Sequence, residues 1–327
     1  MVTAGIYDPP KRSRGEIIRS MDRRNFLKTG FASSVALSHL KADATIPKRA
    51  YNKDVELSII GFGGIVVMGT DQNRANRIVA EAIDRGINYF DVAPSYGDGE
   101  AEEKLGNALT PHRKNVFLAC KCERRDSNGA KQQLETSLKR LQTDYFDLYQ
   151  FHAVASMKDV DEILAPGGAG ELFAKARQEG LVRHLGFSAH NAEAAIALMD
   201  RYKFDSVLFP VNYVTWSQGH FGPQILAKAK EKGVARLALK SMAETKWKQG
   251  EEHDYPKCWY RPIEDPELAR KALRFTLSED ITAAIPPGDE RLYRIALEAG
   301  PNLQPLSASE RRQLLSSAKG ITPIFQA

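Results

Sequence analysis

From residue 57 onward the chain alternates between two patterns. Short runs rich in Val, Ile, Leu and Phe are followed by longer stretches with apolar residues at helical spacing. The short runs predict strands over 57–63, 88–92, 116–122, 146–151, 184–188, 206–211, 236–240 and 282–285. The periodic stretches predict helices over 72–85, 100–109, 130–141, 170–179, 192–202, 223–232, 266–278 and 290–299. Gly86, Gly180 and Gly233 each close a helix just before a strand, where a left-handed residue is expected. Eight strand–helix units with short links predict a closed parallel (β/α)8 barrel of the TIM type, in a single domain. The competing architecture is an open doubly wound sheet, which carries a glycine fingerprint at the opening of its first helix. Gly61-Phe62-Gly63-Gly64 lacks that spacing, and Asp71 follows as the cap of the first helix.

The 327 residues are 43% hydrophobic, enough to fill a core of this size. The formal charge of +5 is unevenly placed: residues 1–44 hold eight Lys/Arg and four Asp/Glu. The remainder is nearly neutral and has no basic stripe that would suit nucleic acid. No apolar run is long enough for stable insertion in a membrane. Cys120, Cys122 and Cys258 lack metal-site spacing and are expected as buried thiols, with no metal bound.

Near the N-terminus, Asp22-Arg23-Arg24-Asn25-Phe26-Leu27-Lys28 precedes a modestly apolar run, Gly30 to Leu40, and then Ala42-Asp43-Ala44, a small-x-small site. This order resembles a bacterial twin-arginine (Tat) export signal. The expected organisation is a disordered leader with signal peptide over 1–44, read by the Tat export machinery, and a barrel over 45–327. The resemblance implies a periplasmic or otherwise exported protein, and a cytoplasmic one if the leader is not used.

In such barrels the chemistry sits at the C-terminal ends of the strands. Asp91 ends the second predicted strand, Tyr96 lies in the loop after it, Lys121 is near the end of the third and His152 ends the fourth. Singly, each has an ordinary structural explanation; four such groups on three consecutive strands is a pattern. Asp-x-Ala-x-x-Tyr-Gly, then Lys, then His resembles the catalytic tetrad of the aldo-keto reductase family. Gly61-Phe62-Gly63-Gly64 and Gly186-Phe187-Ser188 agree with it. The resemblance covers about residues 51–327 and implies hydride transfer between a nicotinamide cofactor and a small-molecule carbonyl or alcohol. Tyr96 would be the general acid/base, Lys121 would lower its pKa, Asp91 would hold Lys121, and His152 would orient the substrate oxygen.

The same resemblance implies a cofactor site built from Gly63, Ser188, Asn212, Lys240, Ser241, Pro286, Gly288, Arg291 and Arg294. Lys240-Ser241-Met242 stands where the family carries an aromatic that stacks on the nicotinamide. The family's Lys-Ser pair for the 2′-phosphate is absent, and Arg291 or Arg294 is its expected substitute. NADP(H) is the implied cofactor. Asp289 and Glu290 beside that phosphate make NAD(H) the alternative. A redox-sensing or interaction protein that binds nicotinamide and turns over weakly is a second reading of the same barrel. An isomerase or dehydratase without nicotinamide is a third, disfavoured by the complete tetrad.

The link after the seventh strand, 242–265, exceeds the two to six residues usual for such a connection. It carries Trp247, Tyr255, Trp259 and Tyr260 among charged residues, and it follows a strand C-terminus. Trp247 and Trp259 are therefore expected to contact the substrate, and the mix of rings and polar groups suits a sugar-like one.

Overall fold

The computed structural model describes residues 45–327; the leader and its cleavage site lie outside the described residues. Eight parallel strands form one sheet: β1 Phe62–Gly63, β2 Tyr89–Asp91, β3 Phe117–Cys122, β4 Phe146–Val154, β5 Val182–Ala189, β6 Ser206–Pro210, β7 Ala235–Leu239 and β8 Ala283–Ile285. Neighbours in sequence are neighbours in the sheet. The first and last strands meet through a parallel bridge between Ile60 and Ala284, which closes the barrel. Helices α1 Gln72–Asp84, α2 Glu100–Leu109, α3 Ser127–Arg140, α4 Ala169–Gln178, α5 Ala192–Arg201, α6 Pro223–Glu231, α7 Pro266–Ser278 and α8 Glu290–Ala299 follow the strands in turn.

Alternation along each strand sorts side chains into two cores. On β3, Phe117 and Ala119 join Tyr89, Leu148, Leu208, Leu237, Ala283 and Ile285 in the lumen. Leu118, Cys120 and Cys122 face the larger layer between strands and helices. All three cysteines are buried and free. The lumen is largely apolar, with His184 against Tyr51 and Phe117 at one end, and at the strand C-termini the inward positions become Asp91, Lys121 and Gln150, all buried.

The expected strand over 57–63 is two elements. Glu56–Ser58 pairs antiparallel with Lys48–Ala50, and only Phe62–Gly63 joins the barrel. The hairpin places Tyr51 and Leu57 in the lumen core, stopping the end of the barrel opposite the strand C-termini. Helix α3 starts three residues before the expected position because Asp126 caps it, its side chain accepting from Gly129 N at 2.7 Å. Helices Met157–Leu164, Tyr213–Ser217 and Ala308–Ser317 were not expected. The long link is no irregular loop: Ala243–Lys246 and Tyr260–Pro262 pair antiparallel at its base.

Candidate active site

A cavity of about 280 Å³ opens at the C-terminal end of the barrel. Its walls include Gly63, Asp91, Tyr96, Lys121, His152, Ser188, Lys240, Pro286 and Gly288, nine of the residues singled out in the sequence. They arrive from β1, β2, β3, β4, β5, β7 and β8 because parallel strands all deliver their ends to one rim.

At its floor, Lys121 Nζ is ion-paired with Asp91 Oδ1, both all but inaccessible to solvent. Asp91 Oδ2 accepts from Gln150 Nε2 at 2.8 Å and from the Tyr89 hydroxyl at 3.4 Å. Lys121 Nζ also donates to Tyr96 Oη at 3.3 Å and to Val92 O at 3.4 Å. A buried ion pair persists only when its remaining donors and acceptors are met, and here four neighbours meet them. Burial opposes the Lys121 charge, yet Asp91 and Tyr96 outweigh it and hold the ammonium above its ordinary pKa.

Tyr96 departs from expectation. Burial of the phenol raises its pKa, and Lys121 only partly offsets that rise. The net direction is upward, not down toward neutrality. The phenol is therefore a protonated donor over a wide pH range.

His152 Nδ1 lies 3.3 Å from Glu123 Oε1. The hydrogen bond from His152 holds the Glu123 carboxyl down to about 2, so this oxygen can only accept and Nδ1 must donate. Burial lowers the His152 pKa although Glu123 works against it. A neutral imidazole fixed in this way presents Nε2 as an acceptor. It meets an alcohol O–H directly, and donates to a carbonyl oxygen only when protonated, which modifies the expected orienting role.

Ser188 Oγ accepts from Ala153 N at 2.7 Å and keeps its own proton to donate at the cavity wall. Ala153 sits at φ +53, and this bond helps to hold it there. Gly288 must lack a side chain, since an added Cβ would lie 2.2 Å from Ile65 Cγ2. The β8 loop thus packs directly on the segment after β1. The nicotinamide end of a cofactor fits these residues: an unspent Ser188 donor, Gly63 with Gly288, and Tyr96 across the cavity.

The residues expected at the phosphate end do not fit. Arg291 bonds both Asp289 oxygens at 2.9 and 3.0 Å, donates to Asp254 O at 2.6 Å and stacks on Tyr255. Arg294 pairs with Glu290 at 2.9 Å and Glu81 at 3.3 Å. The N-terminus of α8 is already capped by Asp289, which accepts from Arg291 N at 3.0 Å. A 2′-phosphate would have to displace these carboxylates. Asn212 is also not at the cavity: its Oδ1 caps helix Tyr213–Ser217 at Thr215 N, 2.8 Å away. Ser241 is buried outside the lining, its hydroxyl without a partner.

Trp247 is a structural residue of the long link. Its Nε1 donates to Cys258 O at 2.8 Å and its ring stacks on His253 at 4.6 Å. Trp259 does reach the cavity, and at 54% exposure it is the exposed large apolar side chain of the described residues. The link is tied down by Lys257, which donates to Val66 O at 2.9 Å, and by Arg291.

Sequence reasoning missed Gln150, Glu123, His190 and Lys257. A signal existed for the first two: Gln150 lies two residues before His152 and Glu123 two after Lys121, so strand alternation turns each toward the same side as that site residue. His190 and Lys257 come from loops, where no periodicity points inward.

The aldo/keto reductase family model matches residues 59–305, and the chain belongs to that family. It is 36% identical over 148 residues to the uncharacterized oxidoreductase YqkF of Bacillus subtilis, covering 42% of this chain and 46% of that protein. It is 28% identical over 211 residues to L-galactose dehydrogenase of Arabidopsis thaliana, covering 59% and 64%. The chain thus spans between about half and two thirds of these relatives. Among solved structures, aldo-keto reductase AKR11C1 from Bacillus halodurans in its holo form superposes with TM-score 0.67 at 26% identity, over 85% of this chain and 98% of that one. An aldo-keto reductase from Klebsiella pneumoniae in complex with NADPH superposes with TM-score 0.64 at 21% identity, over 86% and 98%, a likeness of fold.

Proposed function

We propose that the protein is a nicotinamide-dependent oxidoreductase that interconverts a carbonyl and an alcohol, with Tyr96 as the general acid/base. The observation that carries this is the Tyr96 hydroxyl held 3.3 Å from Lys121 Nζ, with Asp91 paired to that ammonium at the cavity floor. A nicotinamide, when bound, supplies or accepts the hydride. In reduction, Tyr96 gives its proton to the substrate oxygen, and the Lys121 charge stabilises the phenolate left behind. In oxidation the proton returns to Tyr96. Asp91, held by Gln150 and Tyr89, keeps Lys121 charged and in place. His152, held by Glu123 through Nδ1, lines the cavity beside Tyr96, and its Nε2 can accept the product hydroxyl only once Tyr96 has given up its proton.

NADP(H) is the cofactor that family membership and the NADPH-bound neighbour favour. The engagement of Arg291 with Asp289, and of Arg294 with Glu290 and Glu81, favours NAD(H) instead. Titration with NADPH and NADH, followed by nicotinamide fluorescence, decides between them and tests the whole reading, which fails if neither binds. Trp259 at the cavity supports a sugar-like or other polar substrate. Export by the Tat machinery rests on the ordered leader motif. Replacing Arg23 and Arg24 with Lys together should leave uncleaved precursor in the cytoplasm, and unchanged delivery would refute the export reading.

A further inference from the structure

We propose that Lys240, with His190 beside it, is an anion-recognition subsite for the substrate, so that the preferred carbonyl or alcohol carries a carboxylate close to its reacting carbon. This deepens the oxidoreductase reading and rests on it.

Lys240 follows β7 with φ +62, in the left-handed region that a lysine adopts only at a cost. Its ammonium gives no local return for that cost. Among the described residues its polar neighbour is His190 Nε2, 3.4 Å away, and no carboxylate pairs with it. Its other neighbours are rings: Trp259 and Phe325, each with its centroid 5.5 Å from Nζ. His190 in turn packs on Phe325, centroids 4.8 Å apart.

The other lysines of the cavity are answered, Lys121 by Asp91 and Lys257 by Val66 O. The one carboxylate in the lining, Asp91, is committed to Lys121 and Gln150. Lys240 is therefore the ammonium of the cavity with neither a counter-charge nor an oxygen acceptor, and buried charges are normally paired. Burial, reinforced by Lys121, brings the Lys240 pKa down to about 7. His190, lowered by burial and by Lys240 to about 2, stays neutral and accepts from the ammonium.

A neutral substrate leaves this charge unanswered; a carboxylate completes it. The contacts of Lys240 are to residues following β5, to the long link and to the C-terminal segment. None of these polar or ring contacts is to the Pro286–Gly288 loop on the same cavity, where barrels of this kind hold phosphate. The anion is therefore placed on the substrate, and cofactor binding by the Lys240 variant separates the two.

The test uses matched probes on the full chain. Acetate or succinate, added at constant ionic strength, should give a saturable change in tryptophan fluorescence that 1,4-butanediol does not give. Absence of any saturable change in the wild type overturns the subsite, whether or not the enzyme turns over. In Lys240→Met, the ratio of kcat/KM for succinic semialdehyde over butanal should fall roughly 10- to 100-fold, carried by KM, as loss of a charged hydrogen bond implies. Lys240→Arg should keep most of the ratio. An unchanged ratio in Lys240→Met, or weaker NADH and NADPH binding with the ratio unchanged, assigns Lys240 to the cofactor and overturns the proposal. A wild type that binds succinate but reduces no carbonyl sinks the oxidoreductase reading and leaves the subsite standing.

Discussion

The two flanks of the barrel mouth handle charge in opposite ways. On the β2–β4 flank, Lys121 is answered by Asp91, Asp91 by Gln150 and Tyr89, and His152 by Glu123. On the β7–β8 flank, Lys240 has no counter-charge, while Arg291 and Arg294 are consumed by acids on their own helix and on α1. The first flank is complete before any ligand arrives. The second is either closed by its own ion pairs or left open for a ligand to finish. Proton chemistry needs groups already in register, because reorganisation during the reaction adds to the barrier. Recognition tolerates a site that only the correct ligand completes.

The sharpest way to break this comparison is Tyr96→Phe. It keeps the ring and removes the proton, so turnover should fall by on the order of 10²–10⁴, the usual worth of a general acid. Near-normal turnover in that variant would end the assignment. The raised Tyr96 pKa adds a sign. Reduction needs the phenol, which persists at neutral and mildly alkaline pH, so its kcat/KM should stay level there. Oxidation needs the phenolate, so its kcat/KM should climb by about tenfold per pH unit over the same range. A bell centred near neutrality in both directions would contradict the direction of the shift.

Lys121→Met tests whether the first flank is self-sufficient. It strands the Asp91 carboxylate in a buried site, and breaking such a pair costs about 3–5 kcal/mol. The denaturation midpoint should drop accordingly, and adding Asp91→Asn should recover part of the loss. No drop would mean that the pair is not buried as described.

Arg291→Ala probes the second flank, where smaller effects are expected. Arg291 itself is exposed although Asp289 is buried, so stability should change by about 1 kcal/mol. NADPH affinity should hardly move, because in the native protein Asp289 already holds the guanidinium. A tenfold loss would show that Arg291 leaves Asp289 for a phosphate. Smallest of all is the separation of the two tryptophans on the long link. Trp259→Ala should raise the substrate KM several-fold, as loss of one ring face implies. Trp247→Ala should lower Tm and leave KM alone, since its indole serves Cys258 O and His253. The reverse pattern would restore Trp247 as a substrate contact.

Much of this was legible before the fold was known. The eight strands and eight principal helices fall close to their expected places, because apolar periodicity reports directly on burial. Asp91, Lys121 and His152 stood out because an ionisable residue at the end of an apolar strand is anomalous, and Tyr96 because of its place in the loop after β2. The departures cluster where periodicity is silent. Asn212 reads as a cofactor amide; outside the cavity lining, its Oδ1 caps a helix while its Nδ2 stays without a partner. Arg291 and Arg294 read as phosphate ligands, yet Asp289, Glu290 and Glu81 reach them first. Trp247 reads as a substrate contact because a loop sequence does not say which way its rings turn.

Sequence alone was enough for the barrel and for the rim at which Asp91, Tyr96, Lys121 and His152 meet. The barrel and its rim follow from local rules: strand alternation, helical period and the placement of strand ends. Tertiary structure alone decided which charges are spent and which remain. Pairing depends on distance between segments far apart in the chain, as with Asp91 and Gln150 or Arg294 and Glu81. It also depends on burial, which raised the Tyr96 pKa where charge proximity alone would have lowered it. The unanswered ammonium of Lys240 belongs to the same category, since a missing partner is visible only once every neighbour is in place.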